Sequence, residues 1–168
     1  MRSSEAVEKR DATQVALRYL GLRDRTEREL RAHLQKKEFS LQSIEGAIER
    51  LRGWGYLDDG RLALRWGKER MERAQWGPDR VARELGRRGV ADQVIEDVLR
   101  RLMDDRDEAS LARAAAERYL RSHPGMAGTQ GMRRLAGYLG RRGFSGEVIG
   151  RTVREHTEEV GSPENSEV

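Results

Sequence analysis

Leu34-Gln-Lys-Lys-Glu-Phe39, Leu85-Gly-Arg-Arg-Gly-Val90 and Leu139-Gly-Arg-Arg-Gly-Phe144 are three versions of one phrase, and they decide the fold. Set one above another, they bring an apolar frame into register at six columns without a gap. The columns are Leu30/Val81/Leu135, Leu34/Leu85/Leu139, Phe39/Val90/Phe144, Ile44/Ile95/Ile149, Ile48/Leu99/Val153 and Leu51/Leu102/His156. The last frays in the third copy, where histidine stands for leucine. The copies are offset by 51 and 54 residues. Self-similarity at such a period marks a chain of stacked units, each too small to bury its own apolar face.

Spacing inside the unit reads helix, turn, helix. Leu30 and Leu34 lie four apart, on one face of a helix, and Ile44, Ile48 and Leu51 recur at i, i+4, i+7. Gly89 and Gly143 fall just after the shorter helix, where a left-handed residue ends a helix without Cβ strain. Glu38 holds that place in copy one, so its turn is closed differently or at some strain. A leading helix precedes each pair. It carries Ala12, Val15, Ala16, Tyr19 and Leu20 in copy one, Leu62, Ala63, Trp66 and Arg70 in copy two, and Leu111, Ala115, Tyr119 and Leu120 in copy three. Nine helices in three triplets are expected.

Boundary chemistry agrees. Thr26 with Glu29 is a capping-box pattern. Ser40 and Ser145 can cap the third and ninth helices. Gly77-Pro78 puts proline at a first helical position, and His123-Pro124-Gly125 breaks the chain before the eighth helix. No segment alternates with period two at strand length, so the class is all-α. The expected layout is a disordered N-terminus at 1–9, repeats at 10–53, 54–103 and 104–157, and a disordered acidic tail at 158–168.

Of the 168 residues 36% are hydrophobic and 37% charged, which suits thin helical layers better than one large core. No apolar run reaches membrane-spanning length, and the opening Met-Arg-Ser-Ser-Glu-Ala-Val-Glu-Lys-Arg-Asp lacks the apolar stretch of a secretory signal. There is no cysteine, which excludes disulfides, thiolate zinc sites and thiol catalysis. A soluble cytoplasmic protein, monomeric and without cofactor or metal, is the expectation. The net charge of +4 hides an asymmetry. Glu155, Glu158, Glu159, Glu164 and Glu167 crowd a tail with no Lys or Arg; with those five charges set aside, residues 1–154 stand at +9. A basic body suits a nucleic acid or another acidic partner, although compositional bias toward Arg gives the same balance.

Three constellations invite a functional reading. Gly53-Trp-Gly-Tyr-Leu-Asp-Asp-Gly-Arg-Leu-Ala63 joins copies one and two. Gly53 or Gly55 ends the third helix, Tyr56 and Leu57 are placed to plug the joint, and Asp58 or Asp59 caps the fourth helix. A metal site there lacks further ligands in sequence. Next are the basic pairs Lys36-Lys37, Arg87-Arg88 and Arg141-Arg142, in the same columns of all three copies. Cations at a helix C-terminus complement the dipole. Their recurrence as pairs also fits a basic stripe that follows phosphates or an acidic groove, with Arg133 and Arg134 adding charge in copy three. Both readings stand. Last, the aromatics fall mostly on apolar stripes and are read as core; Trp76, beside Gly77-Pro78, is the least well explained that way. Base stacking on exposed rings is the rival reading. His33, His123 and His156 are isolated, and neither a GxxxxGK[ST] loop nor a GxSxG elbow occurs, so no catalytic motif is present.

With these residues in place the chain resembles the RecX family of regulatory proteins. The likeness is carried by Arg25-Thr-Glu-Arg-Glu-Leu-Arg31 with Leu34 to Phe39, and by Gly55-Tyr-Leu-Asp-Asp-Gly-Arg-Leu-Ala63 with Trp66 and Arg70. It continues in Gly77 with Arg80-Val-Ala-Arg-Glu-Leu-Gly-Arg-Arg-Gly-Val90, and in Tyr138-Leu-Gly-Arg-Arg-Gly-Phe144. It covers about residues 12–156, and 55–90 is its specific part. Glu38 departs from the family's usual glycine and Leu62 from its usual phenylalanine. The resemblance implies three tandem three-helix repeats in an elongated, curved, non-enzymatic molecule. It implies binding to the RecA recombinase along the groove of the RecA–single-stranded DNA filament, with reduced filament extension, recombinase, ATPase and coprotease activity. Some family members act as positive modulators. The partner- or DNA-binding candidates are Lys36, Lys37, Arg70, Arg80, Arg87, Arg88, Arg133, Arg134, Arg141 and Arg142, and the structural signature is Gly55, Tyr56, Leu57, Asp58, Asp59, Arg61, Gly89 and Gly143. The alternative is a direct DNA-binding module with helix-turn-helix-like units. The acidic face of the third helices (Glu45, Glu49, Asp92, Glu96, Asp97) speaks against that as the main role, because it would repel phosphate. Weak direct DNA binding remains an accessory expectation.

Overall fold

A capping box opens the second helix as the sequence reading expects: the Thr26 hydroxyl accepts the Glu29 N–H at 3.2 Å while the Glu29 carboxylate accepts the Thr26 N–H at 3.0 Å. The same logic of local caps and apolar stripes sets every element. The computed structural model describes residues 11–125 and 128–161, and among them there are nine α-helices and no strand. They are α1 Ala12–Leu20, α2 Glu27–Lys36, α3 Leu41–Gly53, α4 Asp59–Ala74, α5 Pro78–Arg88, α6 Asp92–Met103, α7 Glu108–Arg121, α8 Gly128–Arg142 and α9 Gly146–Gly161. This is three tandem three-helix repeats. The final helix runs to Gly161, past the expected end of the third repeat at 157. The expected disordered segment 1–9 and most of the acidic tail lie outside the described residues.

The shared phrase folds alike in each copy. Phe39, Val90 and Phe144 donate their N–H groups to the carbonyls of Leu34, Leu85 and Leu139 at 3.3, 3.1 and 3.3 Å. Glu38, Gly89 and Gly143 donate theirs to Gln35, Gly86 and Gly140 at 2.9, 2.9 and 3.0 Å. Each pair of bonds closes a Schellman motif, which needs a left-handed residue at its centre. Gly89 and Gly143 have φ 85° and 82°, and Glu38 adopts φ 64° despite its side chain. The expected strain in the first turn is therefore present.

The described residues fall into two compact units, one within 1–65 and 84–98, the other within 66–83 and 99–168. In the first, α1, α2 and α3 pack on one another around Ala12, Ala16, Leu30, Leu34, Ile44, Ala47, Ile48, Leu51 and Leu57. In the second, α7, α8 and α9 enclose Ala109, Ala112, Ala115, Ala116, Leu135, Leu139, Phe144 and Val148. The columns Leu30/Val81/Leu135 and Leu34/Leu85/Leu139 are wholly inaccessible in all copies. Burial of each such leucine contributes about 1.5–3 kcal/mol. The outer column frays as expected: His156 is half-buried and bonds the Thr152 carbonyl through Nδ1 at 2.9 Å.

The structure corrects the expectations for Tyr56, Trp54 and Ser145, and decides between Asp58 and Asp59. Leu57 is buried in the first core, but Tyr56 is 62% exposed and plugs nothing. The reason is the αL residue Gly55 (φ 74°), whose turn sends the next side chain outward while Leu57 returns to the core. Trp54 is likewise exposed. Ser40 caps α3 by accepting the Ser43 N–H, but the Ser145 hydroxyl donates to Glu108, whose carboxylate also takes the Ser145 N–H at 2.7 Å. Asp58 alone caps α4, accepting the Arg61 N–H at 2.8 Å. Asp59 reaches instead to the N-terminus of α2 and accepts the Glu27 N–H at 2.9 Å. Burial pushes the Asp59 carboxyl above its ordinary range.

Candidate interaction surface on the basic turns

Each basic pair ends the middle helix of its repeat, and in the second and third repeats the two members face different surroundings. In the first unit Lys36 and Lys37 are both exposed at the end of α2. His33, one turn earlier, stacks on Tyr19 with ring centroids 3.8 Å apart. Burial, then the charges of Lys37, Arg25 and Lys36, hold its pKa below the usual range.

Arg87, also in the first unit, is exposed and makes a surface ion pair with Glu84 at 3.0 Å, the kind of contact that adds little stability. Arg88 turns inward. Its Nε and Nη2 grip both oxygens of Glu29 at 3.2 Å, and Nη2 donates to the Asp24 carbonyl at 3.3 Å. Only 17% of its side chain is accessible. Burial works against ionised Glu29, but hydrogen bonds from Arg88 and Thr26 and the charges of Arg88 and Arg23 lower its pKa overall. One carboxylate thus closes the capping box of α2 and clasps the end of α5.

The second unit repeats the division. Arg141 is exposed, as are Arg133 and Arg134. Arg142 donates through Nη1 to the Ala74 carbonyl and lies over the Tyr138 ring at 5.0 Å. Arg80 covers Trp76 at 4.0 Å from its centroid, and Arg70 lies 5.4 Å from Trp66 and 5.7 Å from Trp76. Both of these arginines are only partly accessible, and Arg70 Nε is buried with no hydrogen-bond partner among the described residues. Trp76 thus has two guanidinium groups within about 6 Å of its ring and lies edge-on to Trp66.

The ends of α5 and α8 are received by alike joints. At the first, the Thr26 hydroxyl donates to the Arg88 carbonyl at 2.6 Å, and Arg28 donates to the carbonyls of Gly86 and Arg87. At the second, the Gly77 N–H donates to the Arg142 carbonyl at 2.7 Å, the Asp79 N–H to Gly143 at 3.2 Å, and Arg80 to Arg141 at 2.9 Å. In both, donors at the start of one middle helix satisfy the orphan carbonyls at the end of the next. A Cβ on Gly89 would run into the Arg28 side chain, and one on Gly143 into the Arg80 backbone. These glycines are needed for close approach as well as for φ. Sequence reading missed Arg28, because the gapless alignment sets Asp79 opposite it and hides its likeness to Arg80.

In the signature segment, exposed Arg61 donates to the Gly55 carbonyl and so fastens the turn that Gly55 makes possible. No group of three or more His, Asp and Glu side chains among the described residues could hold a metal ion, and no described helix is long and apolar enough to cross a membrane.

Comparison with known proteins places this architecture. Models of the RecX first, second and third three-helix domains match residues 12–51, 58–99 and 106–153. The chain belongs to the RecX family. The Regulatory protein RecX of Trichlorobacter lovleyi is 39% identical over 140 residues, covering 83% of this chain and 91% of that one. That of Halorhodospira halophila is 40% identical over 148 residues, covering 88% and 86%. The crystal structure of RecX from Lactobacillus salivarius superposes with TM-score 0.77 at 20% identity, covering 93% of this chain and 99% of that one. At that identity it speaks for the fold of this RecX family chain, whose regulatory class comes from the nearer relatives.

Proposed function

We propose that this chain binds the RecA recombinase and its single-stranded-DNA filament and restrains the recombinase, ATPase and coprotease activities, without catalysis of its own. RecA enters through the family resemblance and the name that its relatives carry. One observation on the chain supports the site: in the shared column one cation per repeat, Lys36, Arg87 and Arg141, is exposed. Arg88 and Arg142 are engaged within the fold, so the binding reading falls on the first members of the pairs, with Lys37, Arg133 and Arg134 beside them. Repeated modest contacts gain strength when several engage one filament. We place the repeats at 10–53, 54–103 and 104–157, in a cytoplasmic monomer.

The alternative, a helix-turn-helix reader of duplex DNA, is disfavoured by the third helix of the first and second repeats. Glu45, Glu49, Asp92, Glu96 and Asp97 on α3 and α6 are all exposed, and a recognition helix in a major groove would bring them against phosphate. The test is anisotropy of the labelled chain titrated with RecA assembled on oligothymidylate, beside duplex DNA alone. The proposal expects saturable binding to filaments well below the concentration needed for duplex. Tighter binding to duplex would overturn it in favour of the DNA-binding module.

A further inference from the structure

Two clefts among the described residues differ in charge. The larger, about 500 Å3 in the first unit, is lined by Glu27, Arg28, Arg31, Arg52, Asp58 and Asp59 among others. Its charges are mutually spent: Glu27 takes Arg31 and Arg52, and Asp59 takes the Glu27 N–H. The smaller, about 280 Å3 in the second unit, lies where the end of α4 meets α7 and α8 and has Arg73, Arg118, Arg142, Tyr119, His123 and Tyr138 in its wall, with no carboxylate.

Its aromatic groups form one stack. Tyr138 and Tyr119 lie 4.3 Å apart at 23°, and His123 continues from Tyr119 at 4.3 Å and 29°. Arg142 covers Tyr138. His123 is exposed, and its ring is fixed by Nδ1 contacts to the Tyr119 carbonyl at 2.8 Å and the Ser122 hydroxyl at 3.0 Å. Arg118 is exposed, and Arg73, 82% exposed, makes only a loose 3.4 Å pair with Glu69.

The geometry points to a site for one nucleotide unit of a single-stranded nucleic acid, with its base continuing the stack on His123 and its phosphate between Arg118 and Arg73. A ring stack beside exposed cations is what unpaired bases with their phosphates require. Bases inside a duplex cannot reach it, and an acidic peptide would use the cations but not the rings. Arg142, tied to the Ala74 carbonyl, holds the wall. The residues assigned to the nucleotide, His123, Arg118 and Arg73, lie outside the basic pairs, and the test contains no RecA, so its failure leaves the RecA reading untouched.

The experiment is anisotropy of fluorescein-labelled oligothymidylate with the full chain at low salt. His123→Ala and Arg118→Ala are each expected to weaken binding about fivefold or more, the effect of losing one stacked base or one charged contact. Arg18→Ala, exposed on α1, is expected to stay within about twofold, since it removes only non-specific charge. Affinities unchanged by the first two substitutions would overturn the assignment. Displacement of the oligonucleotide by ATP at equal nucleotide concentration would replace the strand with a free nucleotide. Equal displacement by polyglutamate would replace it with an acidic protein.

Discussion

Glu38 is held in a left-handed backbone (φ 64°) by the same pair of bonds that Gly89 and Gly143 make without a Cβ. Its exposure shows why the chain tolerates it there, since the turn needs glycine only for φ. Glu38→Gly is expected to stabilise the protein by about 0.5–1 kcal/mol, relief of αL strain less the added freedom of the unfolded chain. A urea midpoint that falls would contradict this. The place of Glu38 in the column of Gly89 and Gly143 was plain in sequence; the second demand on those glycines, close approach, was not, because it depends on which residues rest upon them. His33 gives a pH signature. With its folded pKa held low, the unfolded chain takes up a proton that the folded chain refuses. That contribution to stability is full above about pH 6.5 and is lost as pH falls toward the folded value. The melting temperature is expected to drop between pH 7.5 and 5.5, and less so in His33→Gln. Equal slopes in the two proteins would remove His33 from the account.

At the scale of elements, the joints carry the sequence's least visible information. Caps, the Pro78 start and the turn glycines were all legible, because each acts within a few residues of itself. The inward turn of Arg88 was not: Arg87 and Arg88 are chemically identical, and only the position of Glu29 and the Asp24 carbonyl separates them. Arg88→Ala is expected to cost about 2–3 kcal/mol, since it strips a half-buried carboxylate of a bidentate partner. Arg87→Ala, losing a surface pair, is expected to stay within about 0.5 kcal/mol. Chemical denaturation of both variants checks the contrast. Equal losses would mean that the two arginines share one role. Tyr56 and Trp54 escaped the reading for a similar reason. Their apolar character promised burial, while the αL turn at Gly55 points Tyr56 outward and Trp54 stands exposed at the C-cap of α3.

For the whole molecule, an internal period read from six apolar columns was enough to give three three-helix repeats, because stacked units must repeat their buried face. The columns say nothing about which cations remain outside, and the candidate surface therefore had to wait for the side chains. Arg88 and Arg142 are engaged within the fold, and Lys36, Arg87 and Arg141 are the proposed partner contacts. The most direct test titrates the single-stranded-DNA-dependent ATPase rate of the cognate RecA at fixed DNA, with the wild-type chain and with the combined Lys36→Glu, Arg87→Glu, Arg141→Glu variant. The wild type is expected to lower the rate substoichiometrically. The variant, with native helicity and melting temperature, is expected to need at least about tenfold more protein for the same effect, as loss of several cooperating contacts demands. A folded variant that inhibits as well as the wild type, or a wild type without effect in excess, would contradict this assignment.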